Sequence, residues 1–137
     1  MGSEMCIRDR NRGRTYIFTT GLPPFSAGAA LAALRILRSA EGDERRARLA
    51  RRSRRLREAL LQVGMDVLGD EDSPIVPVVL GSEEAALRCS EELLGKRIFA
   101  TAIRPPTVAP GTCRVRFTLS SEHSDEMVDA VIAALTD

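Results

Sequence analysis

Alternation of apolar and polar positions is clearest near the end of the chain. In "CRVRFTLS", residues 113–120, Val115, Phe117 and Leu119 alternate with Arg114, Arg116 and Thr118. A period of two is that of a strand with one face buried. The stretch after it, "SDEMVDAVIAALTD", changes to helical spacing, with Ser124 placed to cap a closing helix. Further upstream, "MDVL", "SPIVPVVLG" and "RIFATAI" read as strands, and Pro77 argues that its strand is an edge strand or bulged. Between the last two, Ser82 caps a helix over "SEEAALRCSEELLGK". Ala86, Leu87, Leu93 and Leu94 supply its buried face, and Gly95 ends it.

Two helices precede this region. "FSAGAALAALRILRSA", residues 25–40, is rich in Ala and Gly, which suits close packing against another element. After a break at "EGD", Asp43 is a candidate N-cap with Glu44 in the first turn. The helix that follows places Leu49, Leu56, Leu60 and Val63 on one side and most of its arginines on the other. Ahead of both, "TYIF" (residues 15–18) is β-prone and is broken by "TTGLPP". The expected fold class is α+β: two leading helices, then β-α-β-β-α around a small, mainly antiparallel sheet. The same last five elements suit a ferredoxin-like regulatory or RNA-binding module, and pattern alone does not separate the two.

Length and composition narrow the picture. With 137 residues, 44% hydrophobic and 28% charged, the chain is one domain able to bury a core. Residues 1–14, "MGSEMCIRDRNRGR", read as non-native or mis-translated sequence joined to a domain that spans 15–137. They lack the apolar core of a signal peptide, and no apolar run approaches a membrane span. Three scattered cysteines, Cys6, Cys89 and Cys113, and a single histidine make no metal-ligand spacing. That cysteine usage fits a reducing, cytoplasmic setting. A net charge of +1 argues against nucleic acid as the partner, although the Arg45 to Arg57 helix keeps that reading open as the last of three.

The candidate chemistry lies in "TAIRPPTVAPGTCRVRF", residues 101–117. Arg114 and Arg116 share a strand face, opposite Val115 and Phe117. A guanidinium holds a carboxylate through two parallel hydrogen bonds, although a salt-bridged, half-exposed strand would show the same spacing. Three prolines and a glycine stiffen the loop carrying Arg104 and Thr107, which lowers the cost of presenting them to a ligand. A plain rigid crossover would do the same. Thr19 and Thr20 stand on a turn ahead of a helix, a place that suits a phosphate or ordinary capping. His123, just before the last helix, is expected to serve local hydrogen bonding.

"YIFTTGLPP" together with "TAIRPPTVAPGTCRVRFTLSSEHS" resembles the α-oxoamine synthases. These are pyridoxal 5'-phosphate (PLP) enzymes of fold type I that condense an amino acid with an acyl thioester and release carbon dioxide. The wording is most similar to the members of biotin biosynthesis that use L-alanine and a pimeloyl thioester. The resemblance implies that the chain is the C-terminal small domain of such an acyltransferase. It implies that Arg116 holds the amino-acid carboxylate, that Thr107 contacts substrate, and that Arg104 lies on the same loop. It also implies that Thr20, with Thr19 beside it, reaches the cofactor phosphate of the partner subunit in a homodimer. No nucleic acid or membrane partner is implied. "TVAPG" departs from the family, which more often has proline directly after the valine. The family's Schiff-base lysine belongs shortly before "FTT", where this chain has "MGSEMCIRDRNRGR" and no lysine; the one lysine, Lys96, does not match it. The chain by itself is therefore expected to be inactive. A stand-alone carboxylate-binding or regulatory module is the alternative.

Overall fold

The computed structural model describes residues 12–13 and 21–136. The expected strand at 15–18, and Thr19 and Thr20, lie outside the described residues. The chain divides into two compact units, Met1–Ser39 and Ala40–Asp137.

In the first unit, helix α1 spans Pro24–Leu37 and begins with a proline in its first turn, where a missing N–H costs no hydrogen bond. It ends three residues before the expected Ala40, because the Ser39 hydroxyl and N–H both turn back to the Ile36 carbonyl, at 2.7 and 3.0 Å. None of its residues is buried.

The second unit holds helix α2 (Ala40–Gln62), strands β1 (Asp66–Val67) and β2 (Ile75–Gly81), helix α3 (Glu83–Gly95), strands β3 (Thr101–Ile103) and β4 (Cys113–Thr118), and helix α4 (Asp125–Thr136). The sheet order is β1-β2-β4-β3, and each neighbouring pair is antiparallel. The last five elements, β2-α3-β3-β4-α4, keep the helix after their first strand that a ferredoxin-like unit has, and β1 adds a short strand beside β2, so topology by itself does not separate the two readings. Val76 faces Phe117 and Val78 faces Val115 across the β2–β4 pair. These four side chains close one core with Leu56 and Leu60 of α2, Leu93 of α3 and Val128 of α4.

Several expectations are corrected by what packs where. Asp43 is not the cap of α2: the helix starts at Ala40, so Asp43 falls in its first turn and pairs with Arg46. Val63 lies past the end of α2, in a turn where Gly64 takes a left-handed conformation (φ 81°), and it is exposed. Pro77 lies on β2, an inner strand, and the register shift is two residues later, at Val79/Gly81. The proline is tolerated because its carbonyl points towards β1, where it accepts from Leu68 N at 2.9 Å. A residue's N–H points the same way in an antiparallel strand, so the missing donor faces the short β1 and spares the ladder to β4.

On α3, Ser82 Oγ accepts from Ala85 N at 3.1 Å as a cap should. Ala86 and Leu93, seven residues apart, are buried; Leu87 and Leu94, one position further round the helix, are exposed. Gly95 is the last helical residue, yet the left-handed position that closes the helix belongs to Arg97 (φ 63°). Arg97 N donates to Leu94 O and Ile98 N to Leu93 O, at 2.9 and 2.8 Å, the paired bonds of a Schellman closure. Because residues 97 and 98 serve that closure, β3 begins at Thr101 rather than at Arg97. Ser124 caps α4 as expected, accepting from Met127 N at 3.2 Å.

The arginines of α2 are less free than their spacing suggests. Arg45 pairs with Glu122 at 2.9 Å, Arg52 with Asp125 at 2.7 Å, and Arg55 with Asp129. This row ties α2 to α4. Arg57 is buried without a carboxylate; it donates to the carbonyls of Leu68, Gly69 and Ile75 at 2.6, 3.3 and 3.2 Å. It thereby pins the turn between β1 and β2.

Candidate functional site

Strand β4 carries the R-x-R pair with the two arginines in different circumstances. Arg114 is half-buried and its Nε donates to the Thr112 carbonyl at 3.0 Å, bracing the turn that feeds the strand. Arg116 is exposed, opposite Thr101 of β3 and Pro77 of β2. Its guanidinium makes no hydrogen bond or ion pair among the described residues. An arginine held on a rigid strand with its fork open is poised to take a planar anion.

The proline-rich loop is built from two turns. The Pro105–Pro106 peptide bond is cis, and Thr107 N donates to Arg104 O at 3.0 Å. In the second turn Pro110 precedes Gly111 (φ 82°), and Thr112 N donates to Ala109 O at 3.1 Å. Proline then glycine at these positions is what a type II turn requires. Thr107 is exposed. Arg104 is engaged with Glu83, in the first turn of α3, at 2.9 Å. It fastens the loop to that helix.

Arg116 lies on the wall of a groove of about 630 Å³ within the second unit. The groove runs between the turn after α3 and the first half of α4, beside the C-terminal half of β4. Phe99, Phe117, Leu119, Met127 and Val131 form apolar walls, while Lys96, Arg97 and His123 join Arg116 as its basic groups. Among the described residues, no aspartate or glutamate lines it. His123 Nδ1 accepts from Ser120 N at 3.1 Å, in keeping with the local role expected of it. Structure thus brings Arg116 and His123 to one groove, and leaves Arg104 and Thr107 on their own loop, which does not line it. Lys96 and Arg97 carry no sequence signal for this location; they arrive there because α3 ends where it does.

Other chemistries find little support among the described residues. No group of three His, Cys, Asp or Glu could hold a metal ion. Cys89 and Cys113 are free thiols, and burial, with Glu92 nearby, pushes the Cys89 thiol up from its ordinary value. Among the described residues, no helix is long and apolar enough to cross a membrane.

Residues 3–135 match the model of the family described as aminotransferase class I and II. The chain belongs to this family. Among curated relatives, it is 45% identical over 125 residues to a putative 8-amino-7-oxononanoate synthase of Desulforudis audaxviator, covering 91% of this chain and 32% of the relative. It is 42% identical over 122 residues to 8-amino-7-oxononanoate synthase 2 of Bacillus subtilis, covering 89% and 31%. The chain therefore spans about a third of the length of these relatives. Among solved structures, a serine palmitoyltransferase of Sphingomonas wittichii superposes with a TM-score of 0.78 at 32% identity, over 93% of this chain and 32% of that one. The 8-amino-7-oxononanoate synthase of Francisella tularensis, at 24% identity and a TM-score of 0.74, covers 97% and 38% and supports the fold. The architecture is the α+β C-terminal small domain of PLP fold-type I enzymes, and one solved palmitoyltransferase structure carries PLP.

Proposed function

We propose that the chain acts as the C-terminal part of a PLP-dependent acyltransferase of the 8-amino-7-oxononanoate synthase kind. In that enzyme L-alanine and a pimeloyl thioester are joined, and carbon dioxide and the free thiol leave. The observation that carries this reading is Arg116: a guanidinium on a rigid strand that, among the described residues, has no partner and lies at a groove lined by no acid. Arg116 grips the amino-acid carboxylate through two hydrogen bonds and so fixes which bond of the α-carbon is presented for cleavage. Thr107 contacts substrate from the stiffened loop, which Arg104 holds to α3 through Glu83. Thr20, with Thr19 beside it, reaches the cofactor phosphate of the partner subunit in a homodimer.

PLP, when bound, serves as the electron sink of the reaction. Such a cofactor needs a lysine for its aldehyde and a partner for its ring nitrogen. The groove supplies no carboxylate for the latter. Lys96 is the single lysine of the sequence, and its ammonium donates to the Ala134 carbonyl at 3.4 Å. These residues do not fit the cofactor by themselves. The chain's contribution is to bind and orient the amino acid.

A chimera tests the proposal. Residues 21–136 replace the matching third of the Bacillus subtilis relative, and condensation of L-alanine with pimeloyl thioester is assayed. Activity is expected, and Arg116→Ala in the chimera should raise the KM for alanine at least tenfold, the loss of a charged hydrogen-bonded pair. A well-folded chimera whose KM for alanine ignores that substitution would remove the role given to Arg116. An inactive chimera, with alanine binding to the isolated chain, would favour the carboxylate-binding module instead.

A further inference from the structure

The groove holds more positive charge than one amino-acid carboxylate requires. Besides Arg116, it is lined by the cations Lys96 and Arg97, with the imidazole of His123 beside them. The Arg97 guanidinium makes no hydrogen bond or ion pair among the described residues, although its backbone is fastened by the closure of α3. His123 accepts at Nδ1 from Ser120 N, so Nε2 is the ring's remaining donor. Acids around the start of α4 are committed elsewhere: Glu122, ahead of the helix, to Arg45, and on the helix Asp125 to Arg52 and Asp129 to Arg55. Glu126 is hydrogen-bonded by Ser124. Among the described residues, no acid is ion-paired with Lys96, Arg97 or Arg116 of the groove.

Its walls are of the opposite character. Phe99 is 83% exposed and Met127 57%, although both line the groove with Phe117, Val128 and Val131. Large apolar side chains left in water beside an open guanidinium match a ligand with an aliphatic body and an anionic end. The volume, about 630 Å³, is in the ordinary range for a small-molecule site.

We infer that this groove binds a medium-chain aliphatic carboxylate. The chain lies against Phe99, Met127 and Val131, and the carboxylate is received by Arg97 with His123. Arg116 at the same groove stays available for the amino acid. This deepens the proposed function, because a pimeloyl group is an aliphatic chain that ends in a free carboxylate, and it rests on that reading for the source of the chain. Recognition of the probe molecules below does not depend on it.

The full 137-residue chain, isotopically labelled, is titrated with heptanoate, nonanoate and heptanedioate, with acetate and heptanol as controls. Saturable binding of the carboxylates is expected, with shifts centred on Phe99, Met127 and Val131. Affinity should rise about threefold to fourfold per added methylene, the value of burying one CH₂, and acetate should bind far more weakly. Arg97→Gly is a suitable variant because glycine accepts the left-handed conformation of this position, so the fold is retained. It should weaken heptanoate about tenfold and leave heptanol unchanged. Met127→Glu should abolish binding of the carboxylates. The inference is overturned if no carboxylate saturates, if heptanol binds as tightly as heptanoate, or if Arg97→Gly has no effect. An inactive chimera with intact carboxylate binding would instead count against the proposed reaction alone. An active chimera without that binding would count against the groove alone.

Discussion

Helix α1 and the unit from Ala40 onward draw on the same apolar residue types with opposite results. In α1, Phe25 is 79% exposed and Leu34 54%, and no residue is buried. In α2, Leu56 and Leu60 are buried to 1% and 0%, in a helix crowded with arginines. The more apolar helix is the one without a core. Apolar content reports a need for cover, and periodicity matched to a facing surface is what meets it: Leu49, Leu56 and Leu60 recur on the side that meets the sheet, whereas the Ala- and Leu-rich run of α1 is apolar nearly all round.

The contrast is broken most directly by truncation. Leu60→Ala should cost about 2–5 kcal/mol of unfolding free energy, since it opens a cavity under the sheet. Leu34→Ala on α1 should stay within about 0.5 kcal/mol in the same chain. Denaturant unfolding of the two variants checks both, and equal losses would mean that α1 is packed as firmly as α2.

A smaller effect is expected where polarity rather than apolar area holds the second unit together. Arg57→Met keeps most of the side-chain bulk and leaves the carbonyls of Leu68, Gly69 and Ile75 without their donor. A loss of about 1–3 kcal/mol should follow, the cost of buried acceptors left unsatisfied. Amide exchange should quicken first in residues 68–75. If exchange there is unchanged, the guanidinium does not pin the turn.

The mildest test uses pH. The hydrogen bond from Arg52, reinforced by the charges of Arg52, Arg51 and Arg55, holds the Asp125 carboxyl below its ordinary value of 3.8. A carboxylate whose pKa is depressed by folding adds stability that is complete above its unfolded pKa and lost as pH falls through the folded one. The tie between α2 and α4 should therefore be intact above about pH 4 and weaken only below it. Asp125→Asn should lower stability slightly at pH 7 and flatten its dependence on pH below 4. α1 has no acidic residue in its first turn and should show no counterpart.

Local signals were legible where a residue's neighbours in sequence are also its partners. Ser82 and Ser124 cap their helices, Pro110 and Gly111 make their turn, and the alternation in β4 divides Val115 and Phe117 from Arg114 and Arg116. Arginine spacing on α2 misled, because Arg52 and Arg57 are buried against elements some ten to seventy residues away. Pro77 misled for the same reason: the direction in which its missing N–H points depends on which strand lies on which side.

The sequence by itself determined the α+β class, the strand faces, most helix starts and the two arginines on one face of β4. These follow from periods of two and 3.6 and from capping groups a few residues away, so no distant contact is needed to set them. Tertiary structure alone decided which arginines are spent on ion pairs, and that Arg116 is left open while Arg104 is taken by Glu83. It also decided that residues 96–99, 116–119, 123, 127, 128, 130 and 131 share one groove. That groove exists only because the sheet order sets β4 between β2 and β3. Pairing order is fixed by the burial of a common core by all the elements together, a property that no single stretch of the chain carries.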